Sequence, residues 1–127
     1  MDEFFVLDSF ALVEYFLGSH RGEKVKNFIE SKKCATPTIV IAELSAKYSN
    51  DKTDFTDKLK FMKFHTKVIS LTDEIAELAG RIKTNQRKTK KDFGLADSII
   101  YATALLNNSR VISGDPHFGD IKEAIMI

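Results

Sequence analysis

The stretch Phe4-Phe5-Val6-Leu7-Asp8-Ser9 joins an apolar run too short for a helix to an acid and a hydroxyl residue. Such a run reads as a buried strand, and Ser9 as the N-cap of a helix that would turn Phe10, Val13 and Leu17 inward. The alternation continues outward from there. Gly18 to Gly22 breaks the first helix, and a second carries Val25, Phe28 and Ile29 on one stripe. Cys34-Ala35-Thr36 is a short strand, and Pro37 suits the first turn of a helix running to about Tyr48. Thr53 or Asp54 opens a helix ending near His65, and Lys67 to Ser70 is a Val-Ile strand. Thr72 caps a helix whose inward face is Ile75, Leu78, Ala79 and Ile82. Leu95 to Leu106 is apolar nearly all round and should be a buried helix. After it come a strand at Arg110 to Ser113, a loop from Gly114 to Gly119, and an edge strand at Ala124 to Ile127.

Strands separated by helices imply crossover connections, hence a parallel sheet covered on both faces. The expected architecture is a three-layer α/β/α unit with four to five parallel strands, formed by residues 1–127 as one domain. Composition agrees: 127 residues can bury a core, and 43% hydrophobic with 29% charged is ordinary for a globular chain. One cysteine, Cys34, excludes an intramolecular disulfide, and His20, His65 and His117 fit no zinc-ligand spacing. No run approaches the roughly 20 apolar residues of a membrane span, so no membrane role is expected and the cytoplasm is the default compartment.

The topology says more than the composition. In such a unit every strand runs toward one edge, and each following helix starts at that edge. Asp8 follows the first strand, and Asp115 lies just past Val111-Ile112-Ser113. Glu43 falls in the second turn of the helix after the Cys34 strand, and Asp97 in the first turn of the helix leading to the Val111 strand. All four acids are thus expected at the carboxyl edge, where open α/β sheets place their sites. Glu43 and Asp97 also share helix stripes with apolar residues, where a carboxylate is costly unless paired, protonated or metal-bound. Crowded carboxylates select a hard divalent cation, and Mg²⁺ or Mn²⁺ fits an all-oxygen site suited to phosphodiester chemistry. Each acid alone has a plainer role. Asp8 can cap a helix, Asp115-Pro116 can open a turn, Glu43 can pair with Lys47, and Asp97 suits a helix N-terminus. Their coincidence at one edge carries the inference.

Val6-Leu7-Asp8-Ser9, Pro37-Thr38-Ile39-Val40-Ile41-Ala42-Glu43-Leu44, Leu95-Ala96-Asp97-Ser98-Ile99-Ile100-Tyr101-Ala102-Thr103-Ala104 and Ile112-Ser113-Gly114-Asp115-Pro116-His117-Phe118 resemble, in order and spacing, the successive motifs of PIN domains. A small stand-alone PIN domain is most similar to the toxin of a VapBC-type toxin–antitoxin pair. The resemblance implies an endoribonuclease using Mg²⁺ or Mn²⁺, a homodimer, and a VapB-type antitoxin segment across the active-site groove. It implies Asp8, Glu43, Asp97 and Asp115 as metal-binding catalytic acids, with the Ser113 hydroxyl turned toward them. Ser9 stands where many relatives have Thr, which keeps the hydroxyl, and Phe10 replaces a residue often small or polar.

Arg81, Lys83, Arg87, Lys88, Lys90 and Lys91 fall in one window without an acid, leaving 13 basic and 18 acidic residues elsewhere. Beside an acidic metal site such cations would neutralise RNA phosphates, and Arg87, Lys88, Lys90 and Lys91 are the expected contacts. A solvated helix end explains the same run more plainly. His117 reads as a solvated loop residue, or else a proton donor or phosphate contact, and Cys34 as a small buried hydrophobe. Phe55, Phe61 and Phe64 exceed one stripe, which suggests a partner. Other enzyme classes fit poorly. A haloacid-dehalogenase-type phosphatase needs an Asp where Phe10 stands, a Rossmann turn needs glycines, and a receiver domain needs an Asp after Val68-Ile69-Ser70. A catalytically silent PIN-like binding module and a PIN nuclease of RNA maturation or decay remain the alternatives.

Overall fold

The computed structural model describes residues 4–127. Its elements are β1 (Phe4–Leu7), α1 (Ser9–Leu17), α2 (His20–Ser31), β2 (Lys33–Pro37), α3 (Thr38–Asn50), α4 (Thr56–His65), β3 (Lys67–Ile69), α5 (Asp73–Gln86), α6 (Leu95–Leu106), β4 (Arg110–Ser113) and β5 (Ala124–Met126), with a 3-10 turn at Pro116–Phe118. The strands form one sheet in the order β3-β2-β1-β4-β5, every pair parallel. Helices flank it, giving the expected three-layer α/β/α architecture with five strands. No described helix is long and apolar enough to cross a membrane.

The central strand β1 buries Phe5, Val6 and Leu7, as a strand with neighbours on both sides and helices on both faces must. Val111 and Ile112 of β4, and Cys34 and Ala35 of β2, complete the same core. Because β1 lies between β2 and β4, with Leu7 in register with Ile112, the chain leaves β1 and β4 at neighbouring points on one edge. That adjacency positions the site.

Several local expectations are corrected. The N-cap of α1 is Asp8, whose carboxylate accepts the Ala11 N–H at 2.8 Å, rather than Ser9. The buried stripe of α1 is Ala11 and Leu12, and Leu17, expected inward, is 71% exposed. With Phe10, Ala11, Leu12, Val13, Tyr15, Phe16 and Leu17 all apolar, periodicity does not fix the phase, and packing against the sheet does. Pro37 sits at the N-cap of α3, one residue before the first turn. Helix α4 starts only at Thr56, because the Asp54 carboxylate takes the Thr56 N–H at 2.9 Å and holds the preceding residues in a turn. The loop after β4 contains the 3-10 turn, and α6 is buried along its middle while Leu95 and Leu106 at its ends are exposed.

The break between α1 and α2 is shorter than expected. Gly18 caps α1 at φ 69°, a left-handed conformation glycine adopts freely, and Ser19 already caps α2 through the Gly22 N–H. Gly22 lies inside α2, where the helices touch: a Cβ there would meet the backbone carbonyl of Glu14, with its carbon at 2.7 Å. Gly22→Ala is therefore expected to cost about 2–3 kcal/mol through overpacking against backbone. Thermal unfolding measures it, and an unchanged melting temperature would refute the close contact.

Candidate functional site

Each acid reaches the carboxyl edge by a different local device. Asp8 is the first residue beyond β1 and is 3% exposed, its carboxylate turned inward to cap α1. Asp115 follows β4 and caps the 3-10 turn, accepting the His117 N–H at 2.9 Å. Asp97 lies in the first turn of α6, and Glu43 in the second turn of α3. Ser113, the last residue of β4, is fully buried, and its hydroxyl accepts the Asp115 N–H at 2.9 Å.

The charges of Asp97 and Asp115 act on both Asp8 and Glu43. Burial pushes the Asp8 carboxyl up to about 7, opposed by its hydrogen bonds with Ser113 and Ala11, and the charges of Asp97 and Asp115 raise it further. Burial also raises Glu43, with Asp97 and Asp115 adding to it and the Ser9 hydroxyl opposing. Asp97 is raised by burial and then by Asp115, and lowered by His117. Carboxylates held together at this cost fit a divalent cation, which would relieve desolvation and mutual repulsion at once.

Two groups at the site were not anticipated in these roles. The Ser9 hydroxyl donates to Glu43 Oε1 at 2.8 Å, bridging α1 to α3. Lys47, a possible partner for Glu43, pairs instead with Asp51 at 3.1 Å. His117 is not a solvated loop residue. Its Nδ1 lies 3.4 Å from Asp97 Oδ2 and 3.3 Å from Asp115 Oδ1. That atom is shielded from solvent, and among the described residues no hydrogen bond of good geometry reaches it. Asp97, Asp115 and His117 form a group able to hold a metal ion, their donor atoms all within 4.8 Å of one another. An imidazole thus stands among the carboxylates of this edge. The signal in the sequence was Asp115-Pro116-His117: an acid followed by proline favours a tight turn, which carries the next side chain back over the acid.

The basic stretch is tied to this edge from outside. Lys90 donates to the His117 carbonyl at 2.7 Å, pairs with Asp120, and lies 5.3 Å from the Phe93 ring centroid. Of the four cations expected at RNA, it is engaged within the protein, its side chain 15% exposed. Arg87 donates to the Lys91 carbonyl at 2.9 Å, and Arg87, Lys88 and Lys91 are exposed. Lys90→Met should cost about 1–3 kcal/mol, the scale of hydrogen bonds to charged groups. Lys88→Met should stay within about 0.5 kcal/mol. Urea unfolding of both variants reads the difference, and equal effects would refute a structural role for the Lys90 contacts.

The comparisons with known proteins come down on the same side. The PIN-domain family model matches residues 5–124. No curated protein matches the sequence at a significant level. Among solved structures, the chain is similar to a toxin–antitoxin complex from Klebsiella pneumoniae, at 19% identity and TM-score 0.75 over 95% of each chain. It is similar to VapBC2 from Rickettsia felis, solved with a DNA fragment from its promoter, at 18% identity and TM-score 0.74 over 98% of this chain and 97% of that one. It is also similar to VapC20 from Mycobacterium tuberculosis, described as a sarcin–ricin loop cleaving toxin, at 15% identity and TM-score 0.76 over 97% of this chain and 98% of that one. With its fold shared by these structures and the family's pattern running from β1 to β5, the chain belongs to the PIN-domain family.

Proposed function

We propose that this protein is a metal-dependent endoribonuclease and the toxin of a type II toxin–antitoxin pair, acting as one domain in the cytoplasm. The observation that carries the reading is the gathering of Asp8, Glu43, Asp97 and Asp115 at the edge where β1 and β4 end, with burial and mutual repulsion raising three of them. Asp8, Asp97 and Asp115 would hold the principal cation, Mg²⁺ or Mn²⁺, with Glu43 helping to hold or orient it. Bound there, the cation would supply Lewis-acid stabilisation of the phosphoryl oxygens and an acidified water. The protein's own groups keep the ligands in place: Ser113 holds the turn of Asp115, Ser9 fixes Glu43, and the Ala11 N–H fixes Asp8. Arg87, Lys88 and Lys91 would neutralise RNA phosphates flanking the scissile bond.

Two of the solved structures named above, the Klebsiella pneumoniae complex and VapBC2, are toxin–antitoxin assemblies and support a VapB-type antitoxin as partner. A homodimer is proposed with it. Phe64 on α4 and Leu17 at the end of α1 are 85% and 71% exposed, apolar surface suited to a covering partner. The test is incubation of the purified, antitoxin-free protein with tRNA and ribosomal RNA in Mg²⁺, Mn²⁺ or excess EDTA. Discrete fragments that need the cation are expected; intact RNA in every condition would overturn the endonuclease reading for these substrates.

A further inference from the structure

We propose that His117 is itself a metal ligand, so that this centre adds a nitrogen donor to its carboxylates and favours Mn²⁺ over Mg²⁺ more than an all-oxygen site would. The inference rests on the reading of the acidic edge as a cation site and deepens it.

The first observation is spacing. His117 Nδ1 stands 3.3 Å from Asp115 Oδ1 and 3.4 Å from Asp97 Oδ2. A six-coordinate ion with bonds of about 2.1 Å sets adjacent ligands about 3 Å apart. The nitrogen stands within a few tenths of an ångström of that spacing from either carboxylate, and all three donor atoms lie within 4.8 Å of one another. The second is the nitrogen's state. It is shielded from solvent and, among the described residues, makes no hydrogen bond of good geometry, facing only at ion-pair distance the two carboxylates, although buried polar atoms are almost always satisfied. A neutral imidazole carries a lone pair on one ring nitrogen, and a cation between the two carboxylates and that nitrogen would satisfy all three.

The third observation is that the residue is held in place. The His117 N–H is fixed by Asp115 Oδ1 at 2.9 Å and its carbonyl by Lys90 Nζ at 2.7 Å. The ring meets Phe93 edge-on, centroids 6.1 Å apart and planes at 62°. Metal-binding residues are commonly oriented by such outer contacts. Nitrogen donors favour first-row transition ions, whereas carboxylates alone accommodate Mg²⁺ well. The predicted difference is therefore one of ion preference as well as affinity.

The experiment is electron spin-echo spectroscopy on the purified full chain with substoichiometric Mn²⁺, alongside Mn²⁺ and Mg²⁺ titrations. Wild type should show ¹⁴N modulation from a coordinated imidazole. The paired variant His20→Gln/His65→Gln should retain it, and His117→Gln should lose it. Mn²⁺ affinity should fall about tenfold or more in His117→Gln, with a smaller fall for Mg²⁺, so that the Mn²⁺/Mg²⁺ ratio narrows. Bound Mn²⁺ without ¹⁴N modulation in wild type would overturn the proposal and leave His117 as an ion-pair partner of Asp97 and Asp115, with the cation site intact. Absence of Mn²⁺ binding in wild type would instead remove the cation reading together with the inference. The wild-type spectrum decides between these even if a variant folds poorly.

Discussion

Asp97→Asn is expected to abolish cation-dependent RNA cleavage, by on the order of 10³-fold, while leaving the fold in place. Metal stabilisation of a phosphoryl transition state is worth several kcal/mol, and each 1.36 kcal/mol is about tenfold in rate. Asparagine keeps the shape of the side chain and an acceptor for the Gly94 backbone, whose hydrogen bond favours charged Asp97. It removes the charge that faces Asp115 and His117. Because burial and Asp115 both disfavour ionised Asp97, the variant should melt no lower than wild type in the absence of metal. This separates a chemical loss from an unfolded protein. Fragment patterns that are identical in wild type and Asp97→Asn, at equal protein, would mean that the cleavage does not arise at this site.

Asp8→Asn is expected to act in opposite directions on stability and activity. The Asp8 carboxyl is raised from 3.8 to about 7, chiefly by burial. Below pH about 4 the acid is protonated folded or unfolded and contributes no pH dependence. Between about 4 and 7 the native state keeps a proton that the unfolded chain has released, so stability falls as pH rises. Above 7 the full cost of a buried carboxylate is present, up to about 4 kcal/mol at 1.36 kcal/mol per unit. Asparagine is a good N-cap and still accepts the Ala11 N–H, but carries no charge. The metal-free variant should therefore melt several degrees above wild type at pH 8, with the gap shrinking toward pH 5. Added Mn²⁺ should stabilise wild type at pH 8 and act far more weakly on the variant, which should also be inactive on RNA. Thermal melts at the two pH values, with and without Mn²⁺, measure all of this. A variant less stable than wild type at both pH values would show that burial of the Asp8 charge does not govern the site.

Both predictions concern residues that chain order alone marks out. Asp8 follows a four-residue apolar run, and Asp115 follows Val111-Ile112-Ser113. A strand that ends in an acid and turns into a helix is a local pattern, set by side-chain period and capping. The parallel alternation then dictates that such acids project from one edge, whatever the order of the strands. Glu43 and Asp97 were legible for the same reason, since a position in the first turns of a crossover helix fixes the edge from which it starts. The amphipathic α5, capped by Thr72 and burying Ile75, Ala79 and Ile82, was equally plain.

What the sequence did not hold is what depends on neighbours distant along the chain. The order β3-β2-β1-β4-β5 sets the end of β1 beside that of β4, and so places Ser113 with Asp8; pattern within single strands carries no such information. The phase of α1 was ambiguous because nearly all its residues are apolar, and the sheet chose Ala11 and Leu12. Gly22 reads as a breaker, yet it serves a helix crossing that exists only once α1 and α2 have packed. Lys90 reads as one more cation in a solvated run until Asp120 and the His117 carbonyl close on it from 27 or more residues away. His117 itself looks like any loop histidine, and only the 3-10 turn brings its ring against Asp97. The kinds of elements and the edge that bears the acids are legible along the chain, because short-range period and capping encode both. Tertiary structure decided which groups touch there, because contact between distant residues is settled by packing, burial and charge together.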